Sequence, residues 1–441
     1  MNSKKLIRNL MATALSLAVL AGCGNKDTST TSTSNEGSMV EGSGSQTSKN
    51  SDIVTKLDGE TKIVFWHAMG GGQGEALEKL VKEFEEKNPN IKIDLQNQGN
   101  YGDLSQKLTA TMQSPDDLPT ITQAYGDWMV PFLEEDFVVD LKPYIENKEI
   151  GFDNYDDILE GLREETTKDG MITSLPFNKS TEVLWYNKTL FDELGLEVPK
   201  TFEELKEVSQ KIYEKKKIPG VGFDALSNFY ASYLKDKGLD MDSKLDVSGK
   251  ESKEAINYYL DGIKDGYFRI AGTDQYMSGP FANEQVAAYI GSNAGEVYIK
   301  DGVGDKFDYE AAPYPAGQSV QQGTNIYMFN NASDEQKTAA YEFLKFLTSK
   351  DAQIEFGLAT GYMPIRKSAI EDEKYTNSDS KIAKVLSEAT KNLFSRKVEP
   401  GSQQAYNDTS SFLESVLSNK DTDVDKELET FKQTYESAYQ Q

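Results

Sequence analysis

Two residue types able to act as nucleophile, general base or metal ligand occur only once each in this chain, as Cys23 and His67. A Ser-His-Asp triad or a metal site must therefore use His67 or do without imidazole. The 72 carboxylates could supply the acid and the base of a glycoside hydrolase, but nothing in their spacing marks such a pair. We therefore expect no catalytic residue, no cofactor and no metal.

Cys23 stands directly after a secretory signal sequence, which predicts a signal peptide over residues 1–22. A basic head at residues 4–8 precedes an apolar segment, residues 10–21, that is too short for a stable membrane span. Residues 20–23, Leu-Ala-Gly-Cys, resemble the lipobox of bacterial lipoproteins. The resemblance implies lipidation of Cys23 and anchoring to the extracytoplasmic face of the cytoplasmic membrane. The alternative is an ordinary signal with a stray cysteine.

An acylated Cys23 leaves no thiol for a disulfide, a zinc site or a nucleophile. Residues 23–60 are rich in Ser, Thr, Gly, Asn and Asp, a composition that predicts a disordered tether. The remaining chain exceeds what one hydrophobic core usually supports and predicts two lobes. A formal net charge of −25 opposes binding to nucleic acid.

Strands and helices alternate in the first part of the folded chain. The continuous apolar run at residues 63–66 predicts a strand buried on both faces of a parallel sheet. Apolar residues recur at helical spacing over 76–84, and residues 91–95 alternate as a second strand. A helix around 104–112 and a strand around 120–124 repeat the unit. This order predicts an α/β lobe built from βαβ units.

The later chain is richer in predicted helices. Capping boxes at Thr201 with Glu204 and at Ser333 with Gln336 open two of them, and residues 424–439 close the chain as an amphipathic helix. Strand-like runs at 285–290 and 325–329 return after a long helical insert. Such an order would fit a chain that crosses between lobes more than once.

Several ordered motifs resemble those of family 1 extracellular solute-binding proteins, the substrate receptors of carbohydrate ABC importers, and within them the Ugp-type receptors for glycerol 3-phosphate or glycerophosphodiesters. The resemblance covers the chain from Lys62 onward. The motifs are Phe65-Trp66-His67-Ala68-Met69, Asn88-Pro89, Gly99-Asn100-Tyr101, Pro176-Phe177-Asn178-Lys179-Ser180-Thr181, Leu184-Trp185-Tyr186-Asn187-Lys188 and Thr360-Gly361-Tyr362-Met363-Pro364.

The resemblance implies a two-lobed, periplasmic-binding-protein-like α/β fold of type II, with a multi-strand hinge. We expect residues 61–173 plus about 286–330 in lobe 1, and about 174–285 plus 331–441 in lobe 2. Ligand contacts from both lobes exist only in the closed form, so binding would shift the population towards closure. The expected partners are a small carbohydrate and the permease subunits of an ABC importer, and we expect a monomer.

The resemblance also implies where the ligand is held. Asp127, offset by one from the family's acidic position, would accept ligand hydroxyls beside a stacking face from Trp128. Two residues, His67 and Trp185, are further candidates for ligand contact. The predicted ligand-binding residues are Tyr101, Asp127, Trp128, Ser180, Ser292, Asn293, Gly323 and Tyr362.

The class of ligand depends on the C-terminal region. The Ugp-type pattern supplies an arginine for phosphate near the position of Glu399, where a carboxylate would repel phosphate. We therefore favour a neutral sugar, an amino sugar or a short oligosaccharide. Glycerol phosphate remains an alternative through Arg396 or Lys397. Sialic acid is another, through a cation drawn from Arg163, Arg269, Arg366 and Arg396.

Two other classes of protein stay open. An exported glycoside hydrolase would use two of the carboxylates. A surface adhesin would use the tether to present a binding domain, although the cleft-forming α/β pattern favours it less.

Overall fold

The computed structural model describes residues 53–440, so the predicted signal peptide, the predicted lipidation of Cys23 and residues 23–52 of the predicted tether lie outside the described residues. Within the described range the strands are β1 Thr61–His67, β2 Ile91–Asn97, β3 Ile121–Ala124, β4 Thr167–Lys168, β5 Met171–Ile172, β6 Leu175–Asn187, β7 Val221–Phe223, β8 Phe268–Ile270, β9 Ala288–Ser292, β10 Tyr309–Pro313, β11 Ser319–Met328 and β12 Leu393–Phe394.

Helices surround these strands. In residues 53–440 they are α1 Gly71–Lys87, α2 Tyr101–Thr111, α3 Val130–Glu134, α4 Lys142–Ile145, α5 Glu160–Glu165, α6 Lys188–Leu194, α7 Phe202–Lys216, α8 Leu226–Asp236, α9 Lys250–Asp265, α10 Ser278–Ala282, α11 Glu296–Val303, α12 Asp334–Leu347, α13 Lys350–Thr360, α14 Lys367–Ile370, α15 Glu373–Thr376, α16 Lys381–Ala389, α17 Ser402–Ser418 and α18 Val424–Ala438. A search of the same residues finds no helix with the length and apolar character of a membrane span.

The first strands form the predicted parallel unit. β1 pairs in parallel with β2 on one side and with β3 on the other. Ile63 and Phe65 of β1 are fully buried, and the apolar stripe of α1, including Leu77 and Phe84, packs in the same core cluster. The predicted α/β class and the βαβ start are therefore confirmed.

Two long strands, β6 and β11, join this parallel group to the later strands. β11 pairs antiparallel with β3 and with the first half of β6, and the second half of β6 pairs with β9 and β10. The sheet path is β2-β1-β3-β11-β6-β9-β7-β8. Because β11 and β6 lie in the middle of this path and connect its two ends, they are the structural counterpart of the expected multi-strand hinge.

The two strands approach each other most closely at Gly323. Its φ is +89°, and the β6–β11 register shifts between Gly323 and Asn325. A Cβ on Gly323 would lie 2.7 Å from the Cα of Lys179 and closer still to the carbonyl oxygen of Asn178. Only glycine fits this conformation and this space.

Some contacts differ from the expected division into lobes. α12 and α13 pack against β1 and α1, although residues 331–441 were expected with lobe 2. β9 pairs with β7, although residues 286–330 were expected with lobe 1. These contacts favour moving α12 and α13 to the first lobe and β9 to the second, and the exact boundaries stay a prediction.

The last residues of the predicted tether pack against the folded part of the chain. Ile53 and Leu57 are partly buried against the core cluster of the first strands, and the Thr338 hydroxyl donates to the Val54 carbonyl. The expected tether boundary at residue 60 is therefore too late. The short apolar spacing of Ile53, Val54 and Leu57 is the signal for this packing.

Replacing Gly323 with Ala should destabilise the protein, because the new Cβ combines positive-φ strain with a clash against β6. We expect the free energy of unfolding to fall by about 2 kcal/mol or more. Gly317→Ala is the matched control, since Gly317 also has a positive φ but nothing within 4 Å of its built Cβ. The measurement is urea unfolding. Equal losses for both variants would contradict the proposed close approach.

Candidate ligand-binding cleft

A cavity of about 520 Å³ opens between the first strands and the later helices. Its walls come from α2, the loop after β3, α5, α8, β11, the loop after β12 and α17. The lining residues are Tyr101, Gly102, Ser105, Gln106, Tyr125, Gly126, Asp127, Trp128, Glu165, Asn228, Gln321, Gln322, Gly323, Ser395, Arg396, Lys397, Val398, Gln403, Tyr406 and Asn407.

Tyr101 is placed at the cavity by a tight turn between β2 and α2. Asn100 and Asp103 form a capping box at the start of α2, each side chain bonding the other's backbone N–H. Gly99 precedes the cap with a φ of +94°, and its N–H donates to the Asn97 side chain. Because the turn satisfies its own polar groups, Tyr101 starts the helix in a fixed position.

The hydroxyl of Tyr101 already has protein partners. Asn178 Nδ2 donates to it over 3.1 Å, and the Tyr362 hydroxyl lies 3.2 Å away. Gln123 Nε2 is a weaker donor at 3.5 Å. Burial raises the pKa of Tyr101 well above its ordinary value, so the phenol stays neutral. What Tyr101 offers the cavity is therefore chiefly its ring.

Three aromatic rings form one wall. Tyr125 and Trp128 follow directly after β3, at its carboxyl end, where open α/β sheets hold ligands. The ring centroids of Tyr101 and Tyr125 are 5.3 Å apart, and those of Tyr125 and Trp128 are 5.1 Å apart, both edge to face. Such packing keeps the rings in place and leaves flat apolar faces for a ligand.

Asp127 lies beside this wall and faces a cation from another part of the chain. Its side chain is 6% exposed, and Arg396 Nη2 lies 3.7 Å from its Oδ2. Its Oδ1 also accepts from the Trp128 backbone N–H. Burial raises the pKa of Asp127, and the Arg396 charge opposes that rise. The Arg396 guanidinium in turn stacks 3.9 Å from the centre of the Tyr406 ring.

Glu165, the second carboxylate of the wall, holds a buried lysine. Lys179 of β6 has a side chain only 1% exposed, and its Nζ donates to both carboxylate oxygens of Glu165 over 2.9 Å. The carbonyl of Gly323 and the amide oxygen of Asn325 accept further bonds from Lys179. The pair therefore ties the cavity wall to the strands that join the two halves of the sheet.

The opposite wall contains a buried relay of polar groups. The Tyr406 hydroxyl donates to Asn228 Oδ1 over 3.0 Å, and Asn228 Nδ2 donates to Glu182 Oε1 over 2.9 Å. Burial raises the pKa of Glu182 to about 8, so the carboxyl is largely protonated at neutral pH. This relay fixes the orientation of the Asn228 amide at the cavity edge.

The arrangement suits a polyhydroxylated ligand. Ring faces can stack on apolar C–H surfaces, while Asp127, Asn228, Gln322 and Asn407 can exchange hydrogen bonds with hydroxyls. A cavity lined by convergent polar groups and aromatic rings is the usual form of a small-molecule site. Among the described residues no group of three or more His, Cys, Asp or Glu side chains has a metal-binding arrangement.

Four of the predicted ligand-binding residues line the cavity, namely Tyr101, Asp127, Trp128 and Gly323. Two more lie outside its lining. Tyr362 is buried and reaches the cavity only through its bond to the Tyr101 hydroxyl. Ser180 is buried in β6, opposite Gln322 of β11.

Asn293 and Ser292 are used elsewhere in the fold. Asn293 is fully buried, accepts from the Thr181 N–H over 2.7 Å and donates to the Gly361 carbonyl over 2.5 Å. The Ser292 side chain caps the following turn at Ala294. These bonds give both side chains a structural role, and neither residue lines the cavity.

The two further candidates, His67 and Trp185, also lie away from the cavity lining. His67 is 5% exposed, and its Nδ1 accepts from the Met69 N–H over 3.2 Å. Trp185 is fully buried, and its Nε1 donates to the Ser292 carbonyl. Alternation along β6 left the direction of Trp185 open, and in the structure its ring packs into a hydrophobic cluster.

Several lining residues were not among the predicted sites. Tyr125 directly follows a predicted strand, a signal that sequence reasoning could have used. Gln403, Tyr406 and Asn407 share one face of α17 at helical spacing, which is a weaker signal. Asn228 is one of three polar residues buried in α8, with Ser227 and Ser232, and Glu165 carries no local signal.

Comparison with known proteins identifies the class. The model of the family described as bacterial extracellular solute-binding protein matches residues 79–383, which is more than half of the chain. The protein is thus a solute receptor that acts outside the cytoplasm. The chain belongs to the bacterial extracellular solute-binding proteins, and the expected resemblance is confirmed.

Individual relatives support the same family. The chain is 28% identical over 343 residues to the sn-glycerol-3-phosphate-binding periplasmic protein UgpB of Rhizobium meliloti, covering 71% of this chain and 77% of the relative. It is likewise 28% identical over 341 residues to UgpB of Shigella flexneri, covering 70% of this chain and 76% of that protein.

Solved structures share the fold at lower identity. The GacH receptor of Streptomyces glaucescens, solved unliganded and with acarbose, aligns with a TM-score of 0.75 at 21% identity, over 87% of this chain and 99% of that one. UgpB from Mycobacterium tuberculosis with glycerophosphocholine aligns with a TM-score of 0.75 at 22% identity, over 86% and 98%. The two-lobed fold and the role of extracellular solute receptor are therefore confirmed.

The position of His67 predicts an unusual titration. Burial lowers the pKa of His67 from 6.5 to about 4, so the unfolded chain takes up a proton at a higher pH than the folded protein. The free energy of unfolding should therefore fall as the pH drops from 6.5 towards 4. Since it is the only histidine, its proton NMR signal reports the midpoint directly.

The His67→Asn variant is the control, because other carboxylates titrate in the same range. The free energies of unfolding of the wild type and of His67→Asn should differ by a constant amount above pH 6.5. Below pH 6.5 the wild type should lose stability relative to the variant. A His67 midpoint near 6.5 would contradict the buried position.

Proposed function

We propose that the cleft binds a neutral carbohydrate, a sugar, amino sugar or short oligosaccharide, and that the receptor delivers it to the membrane permease of an ABC importer. The observation that carries the proposal is the wall of Tyr101, Tyr125 and Trp128 beside the buried Asp127. Rings that stack on sugar faces and a carboxylate that accepts from hydroxyls together favour this class of ligand.

The charges at the cleft favour a neutral ligand over a phosphate. Arg396 already faces Asp127 at 3.7 Å, and Lys397 pairs with Asp242. Glu399, near the position where the Ugp-type pattern has an arginine, does not line the cavity, so the expected repulsion of phosphate by its carboxylate does not apply in the cleft. UgpB relatives are named for glycerol 3-phosphate, and the GacH receptor binds acarbose. Glycerol phosphate is therefore the second candidate, through Arg396.

Sialic acid has less support. Of the four arginines considered for a carboxylate, only Arg396 lines the cavity. Arg163 pairs with Asp156, Arg269 with Asp274, and Arg366 is buried beside Asp157.

A hydrolase is disfavoured by the use of the two cavity carboxylates. Glu165 is bound to Lys179 and also accepts from Asn325 over 3.2 Å. Asp127 faces Arg396. Glu165 is thus committed to the buried Lys179, which leaves Asp127, among the described residues, without a second free carboxylate in the lining to complete an acid and base pair.

Closure would occur about β6 and β11. The two strands cross the middle of the sheet, and the cavity takes residues from both sides of them. A ligand that contacts α2 on one side and α17 on the other would favour the closed state. The permease would then bind the closed form of the receptor. In this proposal the receptor is a lipid-anchored monomer on the outer face of the cytoplasmic membrane.

Replacing Tyr101 or Asp127 with Ala should weaken carbohydrate binding by more than tenfold, or about 1.4 kcal/mol. The first change removes a stacking face and the second a hydroxyl acceptor. Binding can be followed by tryptophan fluorescence, because Trp128 lines the cavity while Trp66 and Trp185 are buried in core clusters. A thermal-shift panel of sugars, oligosaccharides, sugar acids and glycerol phosphate would first identify the ligand.

Tyr298→Ala is the control, since Tyr298 is 59% exposed and does not line the cavity. It should leave the affinity unchanged. Unaltered affinity in both Tyr101→Ala and Asp127→Ala would contradict the proposed binding site. Release of cleaved sugar would show that the protein is a hydrolase.

The lipid anchor makes a separate prediction. Cys23→Ser removes the thiol that would be acylated, so the protein should appear in the soluble extracytoplasmic fraction instead of the membrane fraction. Cell fractionation with an antibody against the folded part measures this. Retention of the variant in the membrane would contradict anchoring through Cys23.

A further inference from the structure

The cations around the cleft are matched by carboxylates. Within the described chain, the lining residues that carry a positive charge are Arg396 and Lys397. Arg396 faces Asp127 at 3.7 Å, and Lys397 lies 3.5 Å from Asp240 and also pairs with Asp242. The buried Lys179 behind the wall is bound by Glu165. The cleft is therefore close to neutral despite its charged residues.

Arg396 is the cation best placed to meet a ligand. The carbon of its guanidinium lies over the Tyr406 ring, 3.9 Å from the ring centre, which restricts the side chain, and the side chain is 23% exposed. A phosphate or carboxylate that bound Arg396 would come within a few ångströms of the Asp127 carboxylate. In a partly desolvated cleft such like-charge contact is strongly unfavourable.

The other carboxylates in or near the cleft do not lie beside Arg396 in the way that Asp127 does. Glu165 is engaged by Lys179, Gln321 and Asn325. Asp242 does not line the cavity and holds Lys397. Among residues 53–440, only Asp127 both lines the cavity and faces a cation that lines it.

We propose that Asp127 determines specificity by neutralising Arg396 and so excluding anionic ligands from the cleft. The inference deepens the proposed function and rests on it, because it concerns the same cleft. Removing the Asp127 charge should leave a guanidinium that can grip phosphate with two parallel hydrogen bonds.

The test compares variants of the purified full-length protein by titration calorimetry, with glycerol 3-phosphate as the probe and glycerol as its neutral counterpart. Asp127→Asn should bind glycerol 3-phosphate at least about tenfold more tightly than the wild type, with no such gain for glycerol. The double variant Asp127→Asn, Arg396→Gln should lose the gain. Asp240→Asn is the matched control, since it removes a carboxylate near Lys397 and leaves Arg396 and Asp127 in place.

A second measurement needs no change at Asp127. Burial raises the pKa of Asp127, so acidification should protonate it before an ordinary aspartate. The wild type should then bind inorganic sulfate more tightly at acidic pH than at neutral pH, and Arg396→Gln should not. The groups that face Asp127 are Arg396, Glu165, Tyr125, Tyr327 and Tyr406. Glu165 is the other carboxylate among them, and it is bound by the buried Lys179.

The outcomes separate the two proposals. A folded Asp127→Asn variant without gain, a gain that survives loss of Arg396, or a sulfate affinity that does not change with pH would overturn the inference. If no carbohydrate binds the wild type but the Arg396-dependent gain appears, the proposed ligand class is wrong while the role of Asp127 stands. If the wild type binds a carbohydrate but Asp127→Asn does not gain affinity for glycerol 3-phosphate, the proposed ligand class stands and the role of Asp127 is wrong.

Discussion

The antiparallel pairing of β6 with β11 is the constraint on which the rest of the structure depends. These strands are almost entirely buried, and they connect the parallel strands at one end of the sheet with those at the other. At Gly323 the two backbones approach so closely that a side chain has no room. The same stretch of β11 contributes Gln321, Gln322 and Gly323 to the cavity. The position of the cleft is therefore set by the strand pairing and not by the loops alone.

The strand pairing also decides the electrostatics of the cleft. Lys179 sits in β6 with almost no exposure, and a buried ammonium must be compensated by nearby acceptors. Glu165, the Gly323 carbonyl and Asn325 supply them, which commits Glu165 to the hinge before any ligand arrives. Asp127 thus becomes the lining carboxylate nearest to Arg396. Because the buried Lys179 requires Glu165 as its partner, Asp127 is the lining carboxylate that remains to contact the ligand.

Sequence reasoning predicted the features that depend on local patterns. The strands β1 to β3, helix α1 and the capping box at Ser333 follow from periodicity and from short-range hydrogen bonds. At the site, Asp127 and Trp128 were implied by the family resemblance, and both line the cavity. Asn228 and Tyr406 were not predicted, because they reach the cavity only through packing of distant helices. Asn293 was placed in the right region, but its amide is consumed by bonds to Thr181 and Gly361, which no local pattern reveals.

The polar groups of the cleft fall into two sets with different physical roles. The hydroxyls of Tyr101 and Tyr406 are bonded to Asn178 and Asn228, so these rings are held in position without a ligand. A rigid aromatic surface loses little conformational entropy on binding and tolerates many flat apolar faces. Discrimination must then come from the groups whose bonding capacity is still open towards the cavity, above all Oδ2 of Asp127. A ligand with no donor for this buried oxygen leaves it without a hydrogen bond, which lowers the affinity.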